Sequence, residues 1–363
     1  METPYRMESP LGATVVINGR PTDYFMGTSY YTLHGNDDVI AASRRAGDQF
    51  GLGPATGISI DIYDDVEKAS CDFFGTESAT YMASGYLSVS VLLDALRDDF
   101  DLIFVDTKSH YCIFDALRSH KKPIFEFEHL NSVDLARLLD KHVGKGHRPL
   151  ILTDGVFPST GALAPLDEYA KVMQSYDTAI LCIDDAHGVG VLGPNGRGSF
   201  DHFGLQGAQY CLAGTLSKAF GGYGGLIPGS SEIAEKIARN ANLMVGASRP
   251  PIPAAAAACA GLKLLSNPKI REKLQGNVAH LQKGLLKIGL EIKSSPVPIL
   301  NISGPSDLAE VSRQLASRGI LVRHVPAGGY SDAPGCETLR IAVFSTHSRE
   351  QLENLINTLG ELL

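Results

Sequence analysis

A chain of 363 residues has room for one large domain and a smaller satellite, and it can bury a substantial core. With 44% apolar and 20% charged residues, and with 38 Gly and 19 Pro spread along the chain, the composition is that of an ordinary globular protein and excludes disordered or collagen-like chains. The 32 Lys and Arg against 40 Asp and Glu give a net charge of -8, which lacks the basic footprint of a nucleic-acid binder, so neither DNA nor RNA is an expected partner.

In chain order, Met1 to Pro10 carries Glu2 and Glu8 and no apolar signal segment. The most apolar later stretch, Ile252 to Leu262, is too short and too Ala-rich to span a bilayer. A cytoplasmic protein without a transmembrane segment is expected. The cysteines Cys71, Cys112, Cys182, Cys211, Cys259 and Cys336 show no C-x-x-C spacing, and they read as reduced thiols. Val15 to Ile17 and Tyr24 to Met26 read as short strands.

From about residue 80 to 230, short β-branched runs alternate with longer amphipathic ones, the pattern of strand, crossover helix and parallel strand. The strands expected are Leu102 to Val105, Pro123 to Phe127, Leu150 to Thr153, Ala179 to Ile183, Tyr210 to Ala213 and Leu226 to Pro228. Ser132 to His142 and Leu166 to Ser175 carry apolar residues at helical spacing and read as crossover helices. Past Ser248-Arg249-Pro250-Pro251 the texture changes to an Ala-rich helix, about Ala254 to Leu265, followed by Lys- and Gln-rich helical sequence to about Ile288. The remainder reads as a compact α+β unit: Val297 to Ile302, Leu308 to Ala316, Ile320 to Val322, Leu339 to Phe344, and a last helix announced by the capping-box spacing of Ser348 and Gln351. The expected division is an N-terminal segment (1–45) packing with the small unit, a large domain (46–250), and a linker helix with the C-terminal small domain (251–363).

Chemistry-bearing residues recur just after the expected strands, at the carboxyl edge where open α/β sheets bind ligands. His110, Asp154, the run Asp184-Asp185-Ala186-His187, and the run Thr215-Leu216-Ser217-Lys218 each follow a different strand. Lys218 lies in a loop from Gly214 to Gly222 whose glycines permit close backbone approach and whose Thr215 and Ser217 offer hydroxyls to an anion. A lysine near glycines is on its own more often a solvated surface residue, and the Walker A order is absent. Burial would make the amine a Schiff-base nucleophile. Asp184 with His187 has two readings, a metal site or a carboxylate that keeps the ring nitrogen of pyridoxal phosphate protonated. No third ligand lies at metal spacing, so no metal is expected. Gly85 and Tyr86 open a helix through Leu93, whose N-terminus suits a phosphate. His110 either stacks on a planar ring or caps a loop.

Three segments together carry a resemblance: Asp184-Asp185-Ala186-His187-Gly188 with Gly196-Arg197-Gly198, the Gly214 to Gly222 lysine loop, and Asp154-Gly155-Val156-Phe157 followed by Ala164-Pro165-Leu166. With these, the chain from about Val15 onward resembles the α-oxoamine synthases, a family of fold-type-I pyridoxal phosphate enzymes. The resemblance implies a large domain with a mainly parallel sheet flanked by helices and a smaller C-terminal α+β domain. It implies that Lys218 carries the Schiff base, Asp184 pairs with the pyridinium nitrogen, His187 contacts the ring oxygen and His110 stacks on the ring. Gly85, Tyr86, Thr215 and Ser217 would hold the phosphate, Arg340 would clamp the substrate carboxylate near Thr28, and Ser248 would reach the phosphate of a homodimer partner. The activity implied is the condensation of a small amino acid with an acyl thioester, usually with loss of carbon dioxide. The alternative is an aminotransferase, aldolase or decarboxylase using the same carbanion chemistry. The chain departs from the family at Thr28 (usually Asn), at Pro158 (usually Ser, with Ser159 or Thr160 as stand-ins) and at Tyr63, where a loop histidine is usual; the long N-terminal helix common in the family has no counterpart.

Overall fold

A computed structural model describes residues 5–54, 58–304, 306–328 and 336–363. Strand β1 (Thr14–Ile17) turns directly into β2 (Arg20–Tyr24), with Ile17 opposite Arg20. The two turn residues, Asn18 and Gly19, both hold positive φ, 48° and 75°, as a two-residue hairpin requires. This Asn-Gly signal corrects the expectation of a strand over Tyr24 to Met26: the return strand starts at Arg20 and ends at Tyr24. Phe25 still donates its N–H to Leu321 O at 2.9 Å.

Two helices, α1 (Asp37–Phe50) and α2 (Asp61–Phe74), and a strand, β3 (Ser78–Met82), lie where the sequence reading placed no element. Asn36 starts α1 by accepting from the N–H groups of Asp38 and Val39. The alternating region then runs α3 (Gly85–Ala95), β4 (Leu102–Asp106), α4 (Tyr111–Leu117), β5 (Ile124–Phe127), α5 (Ser132–His142), β6 (Pro149–Asp154), α6 (Leu166–Met173), β7 (Ile180–Asp184), β8 (Tyr210–Thr215) and β9 (Gly225–Gly229). These strands form one sheet in the order β3-β9-β8-β7-β6-β4-β5. The strands from β8 through β5 are parallel, whereas β9 runs antiparallel to both its neighbours. Every residue of β4 and β6 is buried, as near-continuous apolar runs covered by helices on both faces should be.

The Ala-rich helix begins two residues earlier than expected, at Ile252–Leu265, because Pro253 fits the first helical turn. It lies against α1 and α2. The expected strand Ile320 to Val322 ends at Leu321, and a second strand with a different partner begins at Arg323. β11 (Ile320–Leu321) pairs parallel with β2, and β12 (Arg323–Val325) pairs antiparallel with β13 (Thr338–Ala342), which pairs on its other side with β10 (Ile299–Ile302). The last helix, Arg349–Leu362, starts with the capping box of Ser348 and Gln351. Among the described residues no helix is long and apolar enough to cross a membrane.

Candidate active site

Because β4, β6, β7 and β8 are parallel, their last residues share one edge of the sheet. Asp154 at the end of β6 is the register partner of Asp184 at the end of β7, and Asp184 is in turn the partner of Ala213 in β8. Next to this edge is a cavity of about 330 Å³, whose wall includes Gly85, Tyr86, His110, Asp184, His187, Thr215, Ser217 and Lys218. Eight of the residues singled out in the sequence thus converge on one space. A larger cavity, about 580 Å³, lies by the start of β8 around Tyr210 and Cys211, but its wall includes no lysine or histidine and so no comparable nucleophile and base.

Lys218 opens onto the cavity, and burial of its amine lowers its pKa from the ordinary lysine value; Asp184 and Asp154 oppose that shift. Asp184 is 5% exposed and has a donor on each oxygen: Ala186 N–H donates to Oδ1 at 3.0 Å and the Cys112 thiol donates to Oδ2 at 3.0 Å. His187 is buried, and its Nδ1 is 2.7 Å from the Tyr30 hydroxyl, which leaves Nε2 for the cavity. Burial, reinforced by Lys218, Arg340 and His110, drives its pKa well below the ordinary histidine value, so the ring is neutral. His110 caps α4: its Nδ1 accepts from Cys112 N–H at 3.3 Å, and its own N–H donates to Asp154 Oδ2 at 2.7 Å. Burial lowers the His110 pKa as well. Burial and the neighbouring Asp184 raise Asp154 far above the usual carboxyl range.

The phosphate-type corner is tightly built. A Cβ on Gly85 would lie 2.6 Å from Thr215 Cβ, so only glycine lets the N-terminus of α3 come this close to the end of β8. Thr215 donates its hydroxyl proton to Gly224 O at 2.8 Å. Ser217 accepts from Gly224 N–H at 2.9 Å, so its own hydroxyl proton can be donated toward the cavity it lines.

Arg340 does not line this cavity, nor is it the solvated strand-edge charge that its position allows. It sits in the central strand β13, 4% exposed, with Nε donating to Pro158 O at 2.9 Å and Nη1 to Gly27 O at 3.4 Å. Pro158 is in the cavity wall, so Arg340 is held directly behind it. Thr28 is half-buried next to Gly27 and outside the cavity wall, as are Ser159 and Thr160. Ser248 is exposed and lies outside the cavity too. Tyr63 lies within α2 and not in a loop, donating its hydroxyl proton to Pro250 O at 2.7 Å. Sequence reasoning passed over Tyr30 and did not see that Cys112 belongs to the site.

An amine, a carboxylate with two donors, two imidazoles and a glycine-tight helix start beside hydroxyls form a donor set that fits pyridoxal phosphate. The fold and this edge are those of a fold-type-I pyridoxal phosphate transferase. The family description Aminotransferase class I and II matches residues 26–359. An 8-amino-7-oxononanoate synthase of Fervidobacterium nodosum is 32% identical over 96% of this chain and 90% of its own length, and 8-amino-7-oxononanoate synthase 1 of Bacillus subtilis is 32% identical over 98% and 91%. A solved Sphingomonas wittichii serine palmitoyltransferase superposes with a TM-score of 0.89 at 26% identity, covering 99% of this chain and 91% of that one. A structure of SPT with its PLP internal aldimine gives a TM-score of 0.90 at 25% identity over 99% and 92%. The chain belongs to the aminotransferase class I and II family and, within it, to the α-oxoamine synthases. It is a pyridoxal phosphate-dependent C-acyltransferase, of the kind that joins an amino acid to an acyl thioester and yields an α-amino ketone.

Proposed function

We propose that Lys218, Asp184, His187 and His110 form the reacting centre of this acyltransferase, with Gly85, Tyr86, Thr215, Ser217 and a partner subunit's copy of Ser248 around the phosphate. The observation that carries this reading is the convergence of one amine, one doubly hydrogen-bonded carboxylate and two imidazoles on a cavity of about 330 Å³. Pyridoxal phosphate bound there supplies an electron sink for a carbanion at the α-carbon of the amino acid.

The rest of the task belongs to this chain's own side chains. With the cofactor bound, Lys218 Nζ would hold it at its aldehyde carbon and, as a free amine, would take the α-proton. Its lowered pKa brings the free-base form within reach. Asp184, held in place by a donor on each oxygen, would pair with the cofactor's ring nitrogen. Neutral His187, fixed by Tyr30 at Nδ1, presents Nε2 to the ring oxygen. His110, anchored through its backbone to Asp154, supplies a flat face for the ring. Arg340, held behind the cavity wall by Pro158 O, would have to reach past Pro158 to take the amino acid's carboxylate beside Thr28. The 8-amino-7-oxononanoate named by the relatives has amino and oxo groups on adjacent carbons, the pattern such a condensation leaves. We further propose a cytoplasmic homodimer, with the chain divided at about residues 45 and 250; exposed Tyr86, Tyr111 and Tyr223, each more than 40% accessible, support a second copy closing over this face.

The test is incubation with mixed small amino acids and mixed acyl thioesters, followed by mass spectrometry and assay of free thiol and carbon dioxide. An α-amino ketone with matching thiol release is expected. Borohydride should fix the cofactor to Lys218, and Lys218→Ala should abolish both signals. Transamination without thiol release would overturn the reading.

A further inference from the structure

The roles assigned above leave a thiol in the cavity wall unused. Cys112 is 1% exposed, lies in the first turn of α4 two residues after its cap His110, and borders the cavity. Its Sγ is 3.0 Å from Asp184 Oδ2 and 2.9 Å from His110 Nδ1. That imidazole nitrogen already accepts the Cys112 backbone N–H at 3.3 Å, so it carries no proton of its own to give to the sulfur. The thiol hydrogen therefore has two possible acceptors, and the charged carboxylate is the stronger. Burial and the nearby carboxylates of Asp184 and Asp154 push the thiol pKa far above its ordinary value, so the group stays a protonated donor.

We propose that Cys112 is a positioning residue for the ring-nitrogen end of the cofactor site: its thiol donates to Asp184 Oδ2 while its sulfur rests against His110 Nδ1. One side chain thus locks into a single unit the carboxylate that faces the ring nitrogen and the imidazole that faces the ring plane. This inference rests on the cofactor reading above. Its physical content is one of placement. A donor on Oδ2 holds the carboxylate where it would meet the ring nitrogen's proton; without it, a buried carboxylate oxygen is left unsatisfied and that pairing is weakened.

The experiment compares the parent apoenzyme with Cys112→Ser, Cys112→Ala and Cys112→Val. It reads the equilibrium affinity for pyridoxal phosphate by absorbance, the pH titration of the bound cofactor's visible band, and the thermal midpoint. Serine retains a donor, valine fills the volume without one, and alanine does neither. Alanine and valine are expected to weaken cofactor binding about tenfold and to shift the pH titration, whereas serine stays within about threefold of the parent, the range expected of a hydrogen bond to a charged group. Parent-like affinity and titration in alanine and valine would overturn the proposal. So would serine behaving as badly as alanine, because sulfur packing would then be the cause. Should alanine fail to fold, the serine and valine contrast decides the matter. If the parent itself binds no pyridoxal phosphate, the cofactor reading has failed, and that result appears before any variant is made.

Discussion

Tyr30 shows how much a single hydroxyl can carry at this site. The residue is fully buried, its oxygen lies 2.7 Å from His187 Nδ1, and a hydrogen bond from Arg340 also reaches it. Burial pushes its pKa up to about 12, so the phenol is neutral and can satisfy both neighbours. Tyr30 therefore ties the imidazole proposed for the ring oxygen to the guanidinium proposed for the substrate carboxylate. Tyr30→Phe preserves the ring's packing and removes only this link. The expected result is a fall in kcat/KM of about tenfold, together with a loss of about 1–2 kcal/mol of stability, because the His187 nitrogen loses its partner in a buried setting. Steady-state kinetics and denaturant unfolding of the variant check this, and wild-type values in both would remove Tyr30 from the site. The link is invisible in the sequence, since 157 residues separate Tyr30 from His187. For the same reason Cys112, separated from Asp184 by 72 residues, reads in the sequence only as another reduced cysteine.

Among the elements, α3 and β8 meet more closely than any side chain allows. Gly85 opens α3, and helix propensity alone would favour alanine there by about 1 kcal/mol. The Cβ that alanine adds would sit 2.6 Å from Thr215 Cβ and 2.7 Å from its Oγ1, and both belong to the last residue of a buried strand, which cannot swing aside. Overpacking of this kind costs about 1–3 kcal/mol, so the clash outweighs the propensity gain. Gly85→Ala is expected to lower the melting temperature of the cofactor-free protein and to weaken pyridoxal phosphate binding at least tenfold, by pushing the helix N-terminus off its position. Calorimetry and a binding titration read the two effects separately; a variant that melts higher and binds normally would show that the corner has slack. The elements around this corner were legible in the sequence because β4, β6, β7 and β8 are short apolar runs that end in polar residues. Others were not. In α1 only Val39 and Ala46 are buried, too thin an apolar stripe for helical periodicity to register. β3, at one margin of the sheet, mixes Ser78 and Thr80 with its apolar residues. The split between β11 and β12 is a choice of partners that no local pattern encodes.

At the scale of the whole molecule, the N-terminal hairpin and the C-terminal strands are joined through β2 and β11, and His347 fastens the same junction. Its Nδ1 accepts from Phe344 N–H at 2.9 Å, its Nε2 donates to Tyr24 O at 3.1 Å, and its ring stacks on Phe25 at 4.1 Å. These two hydrogen bonds require the neutral ring protonated on Nε2; a proton added at Nδ1 would face the Phe344 N–H instead of accepting it. Burial accordingly lowers the His347 pKa to about 4 from its ordinary value of 6.5. Between those two pH values the unfolded chain holds a proton that the folded chain refuses, so stability rises with pH through this window and is lost as pH falls from 6.5 toward 4. The single site is worth about 3 kcal/mol across the window. Buried His187 and half-buried His110 act in the same direction, while Asp154 and Asp185, the latter pushed up to about 7 by burial, act in the opposite one, because the folded chain keeps their protons where the unfolded chain releases them. The slope of the intact protein is therefore a sum, and the share of His347 appears only as a difference. His347→Gln, which keeps an acceptor and a donor but cannot titrate, is expected to lower stability at neutral pH by about 1–2 kcal/mol and to flatten the slope between pH 4 and 6.5 by roughly one proton. Urea unfolding of both proteins at several pH values across the window measures that difference, and parallel curves would show that the proton is taken up elsewhere.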